Sequence, residues 1–219
     1  MATTLALLRD RAERILADTG NAIWTSDDID EAIRRALSEY SKARPLQNVS
    51  TLSLASDARE VDASTLTGIL AVTEIWLPYT AASPEFPPNR RDFEYWPDST
   101  TIYVADGAYQ PQSGDVMRVF YLTVQTLKDL DAATATSFPV DDETLIAEGA
   151  AGYAATSRAV DLAEQVTLDR LTAQQIRAWG MAQLQRFRAG LKSVAAADGV
   201  RRGARVEVAG LDVWDGRWA

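Results

Sequence analysis

Cysteine and histidine are both absent from this 219-residue chain. Without cysteine there are no disulfides, thiolate metal sites, iron–sulfur clusters or thiol nucleophiles. Without histidine the commonest general base and the commonest transition-metal ligand are missing. Together the two absences exclude Ser-His-Asp and Cys-His machinery and the usual zinc sites. The phosphate-cradling patterns G-x-G-x-x-G and G-x-x-x-x-G-K-[ST] do not occur either, and no cofactor is expected. Acidic residues outnumber basic ones, 31 to 22. A formal charge of −9 argues against a surface that grips phosphate backbones, although an acidic surface can line a path along which DNA slides. No apolar run approaches the length of about 20 needed to cross a bilayer. The start Met-Ala-Thr-Thr-Leu-Ala-Leu-Leu-Arg-Asp carries charge where a signal peptide keeps its apolar core going, so synthesis in a cytoplasm and no membrane partner are expected.

What is present is well-written helix. The stretch from Trp24 to Pro45 has Thr25 or Ser26 to cap the first turn, and Asp27, Asp28, Asp30 and Glu31 at the positive end of the dipole. Pro45 stops it. Ile29, Ala32, Ile33, Ala36, Leu37 and Tyr40 form one apolar stripe, while Arg34, Arg35, Glu39 and Lys42 face away. The stripe holds no nucleophile, which makes it core and leaves the charged reverse side for partners. Leu5, Leu8, Ala12 and Ile15 mark an earlier helix from about Thr3 to Asp18, with Gly20 as its C-cap glycine. Ile23 and Trp24 precede the second N-cap as a hydrophobic staple.

From Leu46 to about Leu130 the apolar period falls to two, and turn residues become dense. Strands are expected at Val49 to Leu54, Ile69 to Leu77, Thr101 to Ala105 and Val116 to Gln125. In the second, Ile69, Ala71, Thr73, Ile75 and Leu77 should share one face, with Leu70, Val72 and Trp76 on the other. Prolines from Ser83 to Pro97 suggest a packed aromatic loop. Helix returns after Pro139. The run Leu145 to Gln165 carries Gly149, Ala150, Gly152, Ala154 and Ala155, a face with little bulk that lets a neighbour approach closely. A last helix from about Leu168 to Ala196 presents Leu171, Ile176, Trp179, Leu184, Phe187, Leu191 and Val194. The expected fold is α+β: residues 1–45 and 139–198 form one helical body, 46–131 a β-rich antiparallel insert, and 199–219 an extended C-terminal tail.

The acids at 27, 28, 30 and 31 could suggest a calcium loop, but Ala32 stands where such a loop needs glycine; helix capping explains them. Asp92 and Glu94 among Phe93, Tyr95 and Trp96 could form a sugar platform with paired carboxylates, against which stands the packed-loop reading. Arg201, Arg202 and Arg205 read as a solvated turn or as an anion contact. Trp214 and Trp218 could anchor the Gly-rich tail on a partner or on its own chain. Each ring buries roughly 150–250 Å², worth on the order of 4–6 kcal/mol of gross transfer energy.

The order of these segments resembles a known family. Trp24-Thr-Ser-Asp-Asp-Ile-Asp-Glu-Ala-Ile33, Tyr40-Ser-Lys-Ala-Arg-Pro45, Gly114-Asp-Val-Met-Arg-Val-Phe-Tyr121, Leu127-Lys-Asp-Leu-Asp131, Asp141-Asp-Glu-Thr-Leu-Ile146 and Glu148-Gly-Ala-Ala-Gly-Tyr-Ala-Ala155 are similar to the head-to-tail adaptor (head completion) proteins of tailed bacteriophages and prophages. The resemblance spans nearly the whole chain and rests on order, since the single motifs are structural. It implies a non-enzymatic virion protein of the neck, made in the host cytoplasm and forming a ring of itself, usually a dodecamer. Implied partners are the portal protein, a tail, stopper or tail-tube protein, and genomic DNA passing through the lumen without sequence-specific contacts. The expected portal contacts are Arg201, Arg202, Arg205, Val206, Val208, Leu211, Val213, Trp214 and Trp218; the expected ring contacts are Arg34, Arg35, Glu39 and Lys42. The alternatives are another neck or tail-tube subunit, or a carbohydrate-binding or glycoside-hydrolysing protein using the Phe86 to Trp96 loop.

Overall fold

The computed structural model describes residues 3–20, 22–82, 88–164 and 170–201. Helix α1 (Leu5–Leu16) starts at Thr4, whose hydroxyl accepts the Leu7 N–H. It ends at Ala17 in the left-handed region, φ 55°, and Gly20 is not the cap. Glycine usually takes that conformation. Here the turn is held by polar bonds: Ala17 N–H reaches the Arg14 carbonyl and Asp18 N–H the Glu13 carbonyl. The buried Asp18 carboxylate then accepts the N–H groups of Ala22, Ile23 and Trp24 at 3.0, 2.8 and 2.9 Å. Those bonds, Trp24's foremost, hold its pKa below the ordinary carboxylate value.

Helix α2 (Ser26–Ala43) opens with a reciprocal box, Asp28 N–H to the Thr25 hydroxyl and Thr25 N–H to the Asp28 carboxylate. Its expected stripe is buried throughout, so it is core. Asp30 also turns inward, where Arg9 of α1 grips it through two bonds of 2.5 and 2.6 Å. Of the expected staple, Trp24 is buried and donates its indole N–H to the Ala154 carbonyl at 3.2 Å. Ile23 stays half exposed.

Six strands follow: β1 (Leu46–Ser53), β2 (Glu60–Asp62), β3 (Ile69–Trp76), β4 (Phe93–Trp96), β5 (Thr101–Val104) and β6 (Val116–Thr123). They form two antiparallel sheets, ordered β1-β6-β3 and β2-β5-β4. Two strands were not expected. β2 is only three residues long, and the prolines flanking β4 mask its alternation. Where a packed loop was expected, Phe93 to Trp96 pairs with β5, Phe93 opposite Val104 and Trp96 opposite Thr101; residues 83–87 of that loop lie outside the described part.

The sheets share one core. Leu52, Ile75, Met117 and Val119 come from the first, Val61, Ile102 and Val104 from the second. The expected faces of β3 do not hold. Its pairing with β6 shifts between Ile69 and Ala71 and again between Val72 and Glu74, and Ile69, Val72 and Ile75 all pack on the core. Each bulge inserts a residue and flips the alternation after it.

The β part leaves and rejoins the helices at one place. Leu46 pairs with Thr123, and two residues on Gln125 donates its N–H to the Ser41 hydroxyl and its amide to the Arg44 carbonyl at 2.9 and 2.7 Å. Leu127, Leu130 and Phe138 of the following link are buried among the helices, Phe138 edge-on to Tyr40. The link also binds the start of α1, with Leu5 N–H on the Lys128 carbonyl.

After a 3-10 turn (Val140–Asp142) come α3 (Glu143–Glu164) and α4 (Arg170–Arg201). Helix α3 is the central one, packed against α1, α2 and α4. Ala147, Ala150, Ala151, Ala154 and Ala155 are all buried, so small residues serve more than one face. Glu143, buried at its start, takes the Thr3 hydroxyl and Arg11, the latter at 2.7 Å. Helix α4 continues five residues past the expected Ala196 and through Gly199. Close to that end, Asp198 pairs with Arg44 at 3.6 Å. The fold is therefore α+β, four helices with two small antiparallel sheets.

Candidate interaction surfaces

Among the described residues no cluster of three or more acids could hold a metal ion, and no helix is long and apolar enough to cross a membrane. What the molecule offers is surfaces.

The reverse side of α2 is the first. Arg34 lies against Asp131 at 2.9 Å and Glu31 at 3.6 Å, and Arg35 against Glu31 at 3.2 Å. Glu39 does not face freely away. Half-buried, it accepts the Tyr153 hydroxyl and lies 3.5 Å from Arg188. Burial first, then that bond, pushes the Tyr153 hydroxyl pKa up. Only Lys42 of the four is exposed with no bonded partner among the described residues. Three of the four expected ring contacts thus already serve the chain's own structure.

A second surface was missed. Between the end of α1 and the first half of α4 opens a cleft of about 360 Å³, lined by Ile15, Leu16, Trp24, Ala155, Ile176 and Trp179. Trp179 keeps 37% of its surface exposed. Its spacing on α4 gave it as an ordinary core residue, and what distinguishes it is the open cleft between its helix and α1. Leu171, expected on the same face, has no described side chain, and the expected helix start at Leu168 lies outside the described residues.

The β part has two outer faces. On one, the Arg118 guanidinium lies 5.2, 4.9 and 5.3 Å from the rings of Trp76, Tyr79 and Phe120. On the other, Trp96 stacks on Tyr103 at 5.4 Å and donates to Glu94 at 3.3 Å. Asp92 and Glu94 do share that exposed side. Arg91 ties the two sheets: it donates to the Leu77 carbonyl at 2.7 Å and to Asp106 at 2.9 Å, and lies over the Tyr109 ring at 4.2 Å.

The expected portal-binding residues Arg202, Arg205, Val206, Val208, Leu211, Val213, Trp214 and Trp218 lie outside the described residues, and Arg201 is the last residue of α4.

No family model and no curated protein matches the chain. Among solved structures it is similar to a chain in the neck of an empty gene transfer agent (GTA) particle computed with C6 symmetry, at 16% identity and a TM-score of 0.32, over 81% of this chain and 88% of that one. It is also similar to a chain in the virion of the native particle, at 17% identity and a TM-score of 0.31, over 85% and 89%. Both TM-scores lie below 0.5, so the proposal below rests on this chain's own residues.

Proposed function

We propose that the chain is a non-enzymatic structural subunit of a phage-like neck, an adaptor whose copies form a ring between the portal and the tail. The observation that carries this reading is the order of its segments: a helical hairpin, a β insert rooted beside Arg44 and Gln125, and two returning helices, in the order that the adaptor family's motifs follow. The absence of histidine and cysteine and the acidic balance suit a subunit whose chemistry is assembly and whose lumen passes DNA. In this reading Arg34, Arg35, Glu39 and Lys42 contribute to ring contacts. The segment from Arg201 to Trp218 docks on the portal, and the β insert faces the tail side.

The test is particle assembly without the protein. Filled heads and unattached tails are the expected products, and normal tailed particles would contradict the proposal. For the tail segment, removing residues 202–219 should abolish attachment to the portal; unchanged attachment refutes that role. One arrangement keeps the sugar reading testable, the exposed Asp92 and Glu94 beside Trp96. Glycan binding lost in Asp92→Ala and Glu94→Ala would favour it.

A further inference from the structure

The cleft between α1 and α4 is mainly apolar, walled by Ile15 and Leu16 on one side and by Ile176 and the partly exposed Trp179 on the other, with the buried Trp24 also lining it. We propose that it seats Trp214 of the chain's own C-terminal segment in the free subunit.

Reach and chemistry support this occupant. Arg201 ends α4, 22 residues after Trp179, which is about 33 Å at roughly 1.5 Å per residue. Trp214 follows Arg201 by 13 residues, and an extended segment of that length spans about 43 Å at roughly 3.3 Å per residue. The difference leaves room for the chain to reverse, and Gly203 supplies the conformational freedom a tight reversal needs.

The segment 206–216, bounded by Arg205 and Arg217, carries Val206, Val208, Leu211 and Val213 beside Trp214. A segment with one large apolar anchor thus meets an apolar cleft that leaves part of the Trp179 ring exposed. The inference concerns the free subunit and stands apart from portal docking, which the attachment assay tests separately.

The absence of native cysteine makes the experiment clean. Gln175→Cys at the cleft and Asp215→Cys beside the anchor are introduced together in the full chain, which is then oxidised at low concentration. An intrachain disulfide in the monomer is the expected product. Adding Trp214→Ala, outside the helical body, or Trp179→Ser, at a partly exposed site, should lower its yield about tenfold, as loss of a buried aromatic anchor would. A disulfide whose yield is indifferent to Trp214, a disulfide found only between two chains, or no disulfide at all would each overturn the proposal.

Discussion

Gly152 of α3 and Gly180 of α4 face one another across the helix crossing. A Cβ on Gly152 would stand 3.2 Å from the Gly180 carbonyl oxygen, and one on Gly180 would stand 3.1 Å from the Gly152 carbonyl oxygen. Each helical glycine costs about 1 kcal/mol relative to alanine. The return is direct backbone packing of the central helix against the longest one.

The same face separates two kinds of glycine. An alanine at Gly149 would meet the Phe187 ring at 2.9 Å, and Phe187 is fully buried. At Gly190 the nearest obstacle is a methyl tip of Leu145, with its other atoms at 3.4 Å or beyond. Gly149→Ala should therefore destabilise by about 1–2 kcal/mol, overpacking outweighing the gain in propensity. Gly190→Ala should be neutral or stabilising by up to about 1 kcal/mol. Denaturant unfolding of the two variants checks the order.

Thr25→Ala removes the hydroxyl half of the capping box on α2 and leaves the backbone N–H bond to the Asp28 carboxylate. The expected loss is about 1 kcal/mol, read by thermal unfolding. Ser26→Ala, one position inside the helix, should cost less than Thr25→Ala.

The Asp18 carboxylate gives a pH signature. Its folded pKa is lowered by three backbone N–H bonds, Trp24's first, so its contribution is present above the ordinary carboxylate pKa and fades as pH falls below it. Asp18→Asn should be less stable than the parent at pH 7. The gap between them should narrow as pH falls below about 4. Urea unfolding across that range measures it, and a gap that widens in acid contradicts the assignment.

Much of this was readable from sequence because helices carry periodic and positional marks. The stripe from Ile29 to Tyr40 and a cap at Thr25 or Ser26 were legible from spacing and residue type alone, and the fold selects Thr25. The left-handed Ala17 was not, because the bonds of Asp18 to residues beyond the turn are tertiary. The bulges in β3 were also hidden, since nothing in Ile69 to Trp76 marks where a partner strand slips. The charged side of α2 was legible as exposed, but Glu39 takes the Tyr153 hydroxyl from a helix more than a hundred residues away. The cleft at Trp179 escaped notice for a related reason: spacing shows which face is apolar and does not show whether anything covers it.

Arg34 and Arg35 separate fold from assembly. Both pairs are solvent-exposed, with Arg34 at 42% and Asp131 at 62%, and exposed pairs contribute roughly 0–1 kcal/mol to folding. Arg34→Ala with Lys42→Ala should leave the melting temperature nearly unchanged and weaken self-association. Sedimentation of the variant against the parent reads the second effect. Unaltered association would remove this face from the ring contact.

The proposed adaptor role gives the chain a definite position in a particle. Electron microscopy of purified particles, with the protein located by its fold or by a label, tests it most directly. A twelvefold ring of this chain between portal and tail is the expected result. A sixfold stack along the tail, or its absence from purified particles, would contradict it.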